Sequence, residues 1–344
     1  MTDSSLRLPA EWEPQAAVLI AWPHADTDWA ERLDEVESTY VALAVAVTRY
    51  QPLIIVVADA TLHAHVRAKL QAAGADLTRI RFVELPYDDT WLRDSGPITL
   101  RDGNRFQLTD FHFTGWGGKF GAEQDDALIA GLVDAGVFGS ASHQRIDWAL
   151  EGGGIESDGE GTILTTWRCL TQRHPGQSRA DMSSILRDSL HAKRVLWLDY
   201  GYLEGDDTDA HIDTLARFAP GERIVYQACN DAGDAHYDEL QRMGEELAAL
   251  RTSEGKPYTL YPLPWAKPIV DEGRRLAASY ANYLIVNGAV LVPAYGDAMD
   301  NEAARIIGEA HPGRVVVQVP CRPLIWQNGS LHCITMQLPA GLIG

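Results

Sequence analysis

Four pairs of apolar, β-rich runs in this chain are separated by turns too short to contain a crossover: R101-D-G-N-R105, S157-D-G-E-G161, A219-P-G-E222 and N287-G288. Parallel neighbours need a connection of about a dozen residues or more, whereas antiparallel neighbours can share a tight Gly-containing turn. An all-parallel, doubly wound sheet is therefore excluded. Further strand-like runs lie at 17–22, 53–57, 80–85, 194–198 and 314–319. Helical periodicity appears over 29–50, 61–73, 123–135, 179–190, 235–251 and 298–309. Within 61–73 it places Leu62, Val66, Lys69 and Leu70 near one face. The layout is α/β, and a strand–hairpin–helix pattern recurs weakly at intervals of roughly 60 to 70 residues. A ring of about five ββαβ-like units fits the 344 residues. No Ser/Gly/Pro-rich linker or charge block divides the chain, so residues 1–344 are expected to form one domain.

Charge narrows the partners. The formal net charge is −19, which argues against a nucleic-acid partner, since phosphate binding needs clustered Lys and Arg. An acidic surface also steers cations inward, although most of this charge is accounted for by solubility. The first residues show neither a basic n-region nor an apolar h-region, so no signal peptide is expected. No apolar run is long enough for a membrane helix, and no membrane partner is expected. Cys169, Cys229, Cys321 and Cys333 form no CxxC pair, which suits a reduced, cytoplasmic setting. The first three read as small buried hydrophobes.

Chemistry-bearing residues lie on separate segments, each beside glycine or a turn: W91-L-R-D94, E151-G-G-G154, D209-A-H211-I-D213 and N328-G-S-L-H-C333. One thiol, one imidazole and three carboxylates suffice to bind a planar cation and attack its central carbon. Each motif has a plainer reading. Asp94 suits a side-chain-stabilised turn with Trp91 beside it, E151-G-G-G a Gly-rich turn, and Cys333 a structural cysteine. H211-I-D213 reads as part of a strand, which would project His211 and Asp213 from the same face. The upstream run E204-G-D-D-T-D209 concentrates like charge, which is costly unless something cationic relieves it. G115-W-G-G118-K119 lacks the phosphate-loop pattern and reads as a pocket wall carrying Trp116. No dinucleotide fingerprint is present, and no cofactor or metal is expected. A rival metal-hydrolase reading would use H24-A-D26 and H211-I-D213 with Glu151 or Asp94, but it leaves Cys333 without a part. A guanidine-binding protein without catalysis and an amidine transferase are further alternatives.

Together these segments resemble the agmatine deiminases, in the bacterial-type peptidylarginine deiminase group of the guanidine-modifying (pentein) superfamily. The matching stretches are E11-W-E-P-Q-A-A-V-L-I-A-W-P23, D89-T-W-L-R-D-S-G-P97, F113-T-G-W-G-G-K119, L150-E-G-G-G-I-E156, D206-D-T-D-A-H-I-D213, V292-P-A-Y-G-D297 and G329-S-L-H-C-I-T335. The resemblance implies a five-bladed α/β propeller. It also implies hydrolysis of agmatine to N-carbamoylputrescine and ammonia, a step towards putrescine, with arginine or peptidyl-arginine as alternative substrates. It makes Cys333 the nucleophile, His211 the general acid/base, and Asp94 and Asp213 the guanidinium clamp, with Glu151 near His211. Trp91 and Trp116 would line the site, and Asp207 or Glu204 would receive the distal amine. The partner is a small cationic guanidine, and a homodimer remains open. The chain departs from the family pattern at N328-G-S, where many members have a Gly-Gly-Asn type segment, and at Glu156, where some carry His.

Overall fold

The short turns do make hairpins. In the computed structural model, which describes residues 6–343, Asp102 pairs with Arg105, Ser157 with Ile163, Ala219 with Arg223 and Val286 with Ala289, all antiparallel. At the first of these turns Gly103 has φ +58°, a backbone conformation that glycine adopts without penalty.

Each hairpin begins a sheet of one recurring design. Strand Ile98–Asp102 pairs antiparallel with Arg105–His112; the chain then passes through helix Glu123–Asp134 and returns as Ser142–Ala149, parallel to the second strand. The same order recurs in Ile155–Ser157, Thr162–Thr166 and Arg194–Leu198, with helix Arg179–Leu190 in the crossover. It recurs in Ala216–Ala219, Arg223–Gln227 and Thr259–Leu263 around helix Tyr237–Ala249, and in Leu284–Val286, Ala289–Ala294 and Val315–Pro320 around helix Asp300–Ala310. The fifth sheet takes its antiparallel strand from the far end of the sequence. Met336–Pro339 pairs with Gln15–Ala21, and Leu53–Val57 and Ile80–Glu84 join in parallel. A two-stranded hairpin, Val270–Asp271 with Arg274–Arg275, stands apart from these five sheets.

Burial explains the continuous apolar runs. All five residues of Leu53–Val57 are buried, as expected of a strand covered on both faces. Each such side chain contributes on the order of 1.5–3 kcal/mol on burial. Helix Ala60–Ala72 starts where Asp59 accepts the amide N–H of Leu62 and buries Val66 and Leu70, while Leu62 and Lys69 are left at the edge. Among the described residues no helix is long and apolar enough to cross a membrane.

Between one sheet and the first strand of the next runs a linking segment, five of them among the described residues, one of which holds the small two-stranded hairpin. They carry Asp94 before Ile98, Glu151 before Ile155, His211 and Asp213 before Ala216, Asn282 before Leu284, and Cys333 before Met336. One connectivity, repeated, therefore puts every chemistry-bearing motif at the same place in its unit.

Candidate active site

Those five links converge. The segment bearing Asp94 is a single helical turn, Leu92–Ser95, and the amide of Arg93 donates to the carbonyl of Cys333 at 3.1 Å. Behind it lies Gly152-Gly153-Gly154. The amide N–H of Gly153 donates to Asp94 Oδ1 at 2.9 Å. A Cβ on Gly153 would lie 2.7 Å from both Asp94 Oδ1 and His211 Nδ1 and 3.2 Å from Asp213 Oδ2. The glycine is therefore required by close approach, and three of the expected side chains share that one point.

His211 is fully buried among acids. Its Nδ1 is 3.5 Å from Asp94 Oδ1 and its Nε2 is 3.5 Å from Glu151 Oε2. Burial opposes charging of the ring, but Asp94, the Cys169 thiol and Glu151 outweigh it and hold the imidazole pKa well above its ordinary value. Burial, with Asp213 and Glu151 adding to it, pushes Asp94 up to about 6 despite the opposing pull of His211. For Asp213 the burial penalty is outweighed by the hydrogen bond from His332, and its pKa falls. Glu151 is likewise lowered against its burial, by His211 and by Arg173, whose Nε donates to Oε1 at 2.6 Å.

Burial, reinforced by Asp213 and Asp94, pushes the Cys333 thiol well above its ordinary range. Its Sγ lies 3.5 Å from Asp213 Oδ2. Asn282, which the sequence reading did not single out, meets it from the other side. The Asn282 Oδ1 accepts the amides of His332 at 2.9 Å and Cys333 at 3.2 Å, and its Nδ2 lies 3.1 Å from both Sγ and Asp213 Oδ2.

Cys333 and Asp94 open onto a cavity of about 540 Å³ that Trp91, Trp116 and Asp207 also line. Trp116 takes a left-handed backbone (φ 56°, ψ 47°) and donates its indole N–H to Asp94 Oδ2 at 2.9 Å. Such conformations in bulky residues cost about 1–3 kcal/mol and gather at ligand sites. Trp91 packs over Gly329, where a Cβ would fall 2.1 Å from its ring. His211, Glu151 and Asp213 form the layer behind these residues, each no more than 1% exposed.

Several expectations change. H211-I-D213 is not a strand: it forms a 3-10 turn, Ile212–Thr214, entered through Asp209 (φ 66°) and Ala210 (φ 70°). His211 and Asp213 still meet, brought together around Gly153 and not by strand alternation. Glu204 is not at the cavity; it lies beside His236 and Trp265, with its amide bonded to His236 Nε2. The acidic run is relieved largely from within the protein. Arg173 and Lys119 pair with Asp209 at 2.6 and 2.7 Å, and Asp206 accepts the amides of Thr208 and Ala210. Cys169 is buried, as expected, but faces the histidine instead of plain hydrocarbon.

Among the described residues two groups could offer three ligand atoms to a metal: Glu151 with Cys169 and His211, and Glu11 with Glu156 and His332. Neither includes His24, so the pairing that the metal-hydrolase rival needed is not formed.

Known proteins match the chain in both sequence and fold. The profile of the Porphyromonas-type peptidyl-arginine deiminases matches residues 7–339. An agmatine deiminase of Stutzerimonas stutzeri (strain A1501) is 34% identical over 98% of this chain and 96% of its own length. A C. jejuni agmatine deiminase, solved as a Cys-to-Ser variant with substrate bound, is 33% identical with a TM-score of 0.90, covering 98% of this chain and 97% of that one. A Porphyromonas gingivalis structure described as a candidate arginine deiminase is 46% identical with a TM-score of 0.91, covering 98% and 99%.

Proposed function

The chain belongs to the Porphyromonas-type peptidyl-arginine deiminase family, and from that premise we propose that it hydrolyses the guanidinium of agmatine, releasing ammonia and N-carbamoylputrescine. The observation that carries the choice of substrate is the lining of the cavity above Cys333. Among the described residues, Asp28, Asp88, Asp89, Asp94, Asp125 and Asp207 face it with one cationic residue, Arg274. That guanidinium is committed to Asn328 Oδ1 and the carbonyl of Trp326. Burial pushes Asp89 and Asp125 up to about 7, so a cation in the cavity would be welcomed by both. An α-carboxylate would be repelled there.

In this reading the guanidinium plane rests on Asp94 and Asp213, which accept its N–H bonds. The substrate's positive charge offsets the carboxylates that hold the Cys333 thiol protonated, and Asn282 adds a donor to the sulfur. The thiol gives its proton to solvent as the substrate binds, and the thiolate attacks the central carbon. His211, charged among its carboxylates, gives its proton to the departing nitrogen, and ammonia leaves a covalent S-alkylthiouronium. The now neutral His211 takes a proton from water, the hydroxide adds to the same carbon, and the C–S bond breaks to return the thiolate as the new hydroxyl gives its proton to solvent and the ureido product is released. Asp207 receives the distal ammonium: Asn328 holds its Oδ2 at 2.8 Å, leaving Oδ1 for the ligand. The five sheets of one connectivity support an arrangement as five blades around the site, within a single domain spanning 1–344. Four free, buried cysteines support a reducing, cytoplasmic setting.

A second reading, arginine as substrate, is favoured by the identity to the P. gingivalis structure. An assay of ammonia and ureido product with agmatine, arginine and a peptidyl-arginine decides between them. A clear preference for agmatine is expected, and a preference for arginine would overturn the choice.

A further inference from the structure

His332 stands between two carboxylates, and both contacts are short. Its Nδ1 is 2.8 Å from Asp213 Oδ2 and its Nε2 is 2.8 Å from Glu11 Oε1. The imidazole is 1% exposed and Asp213 is fully buried. A neutral imidazole has one N–H and one bare nitrogen. With both acids ionised, a neutral ring would leave one contact as lone pair against lone pair, so the run Asp213–His332–Glu11 needs two protons. Glu11 also accepts from Arg93 at 3.1 Å and from Arg217 at 2.5 Å, and Arg217 pairs with Glu156, whose carboxyl burial pushes up to about 8. Against its burial, Arg217, His332 and Arg93 hold Glu11 well below the usual carboxylate range, so Glu11 stays ionised and cannot supply the second proton. Burial, with the neighbouring guanidiniums of Arg217 and Arg93, lowers the ring's pKa below its ordinary value, so the second proton rests on the geometry: two short carboxylate contacts that a neutral ring cannot satisfy together.

The consequence falls on Asp213. Its Oδ2 is occupied by His332 and Asn282, while its Oδ1 is buried and has no hydrogen-bond partner. A buried acceptor of that kind is costly to leave unmet. It is the oxygen left to accept an N–H from the substrate.

We propose that His332, protonated on both ring nitrogens, is a positioning residue that ties Asp213 to the Glu11–Arg217–Glu156 ion network and so presents Asp213 Oδ1 to the guanidinium. Its use in catalysis rests on the deiminase reading above; its protonation does not.

Two measurements on the full chain separate these. In histidine-¹⁵N-labelled protein at pH 7, the signals absent from His332→Gln should show two protonated-type nitrogens, and in Glu11→Gln one of them should become the bare type. A bare nitrogen on His332 in the parent protein, or no change in Glu11→Gln, overturns the proposal without reference to any substrate. In kinetics, His332→Gln should raise KM for the guanidine substrate about tenfold, with kcat less affected. The acid limb of kcat/KM should move to higher pH as Asp213 loses its donor. A folded His332→Gln protein with unchanged KM and pH profile would overturn the positioning role. Should that variant fail to fold, the Glu11→Gln spectrum and KM still decide. If the parent protein turns over no guanidine, the deiminase reading fails while the proton count stands or falls on its spectra.

Discussion

The side chain of Asn282 grips Cys333 at both ends of the residue, accepting its amide N–H at 3.2 Å through Oδ1 and approaching its sulfur at 3.1 Å through Nδ2. The acceptor holds the loop in place, and the donor can stabilise the developing thiolate.

Asn282→Asp keeps the acceptor but exchanges the donor for a carboxylate beside the sulfur. A hydrogen bond to a charged group contributes about 1.5–3 kcal/mol, so kcat/KM should fall about 10- to 100-fold or more. The rate of thiol alkylation against pH should show the Cys333 pKa moving further up. Unchanged alkylation would mean that the amide does not act on the sulfur.

Gly153→Ala places a methyl group 2.7 Å from Asp94 Oδ1 and His211 Nδ1. Overpacking of a filled site costs about 1–3 kcal/mol. Because the displaced atoms are those proposed to grip and protonate the substrate, activity should fall more steeply than stability. Steady-state kinetics beside thermal melting will show whether kcat/KM drops on the order of a hundredfold in a protein that still folds.

Asp94 ionises at about 6, and only its charged form attracts a guanidinium. Agmatine binding to Cys333→Ala, followed by calorimetry, should weaken as Asp89 and Asp125 take up protons near pH 7 and fall by at least about tenfold per pH unit below 6. The stability linkage runs the opposite way. A carboxyl whose folded pKa lies above its unfolded value of ~3.9 favours the folded state progressively as pH falls from about 6 to about 4. Binding that strengthens on acidification would refute the assignment.

The side chain of Arg173 is 1% exposed and holds Glu151 Oε1 and Asp209 Oδ2, each at 2.6 Å. Arg173→Met strands the buried Glu151 carboxylate and should cost about 3–5 kcal/mol in denaturant unfolding. Adding Glu151→Gln should recover part of that loss. Equal destabilisation in the single and double variants would show that the pair is not coupled.

Asp207→Asn should raise KM for agmatine at least about tenfold while sparing kcat, because the distal ammonium is remote from the reacting carbon. Glu204→Gln, which lies beside His236 and not at the cavity, should leave both constants unchanged. Equal effects of the two substitutions would place the ammonium elsewhere.

The hairpins were legible because a tight turn is a local event: Gly103, Gly221 and Gly288 sit where positive φ is needed, and flanking β-branched residues supply the strands. Helix 179–190 was legible to the residue, with Ser178 capping its first turn. H211-I-D213 was misread because Asp209 and Ala210 take successive left-handed conformations; Asp tolerates that region, but nothing in the identity of Ala210 announces it. The acidic run looked like a substrate site because Arg173 and Lys119, which relieve it, lie dozens of residues upstream.

Residue types and short-range spacing thus established the α/β units and their turns, and offered the thiol, imidazole and carboxylates that the proposed chemistry uses, since these depend on backbone sterics and functional groups alone. Which groups face one another is another matter. Glu11 reaches His332 across 321 residues and Asn282 reaches Cys333 across 51, while Glu204 turns away from its acidic neighbour Asp207. Packing of the sheets sets those distances, and through them the burial and charge environment that separate Asp94 from Asp213 in acidity.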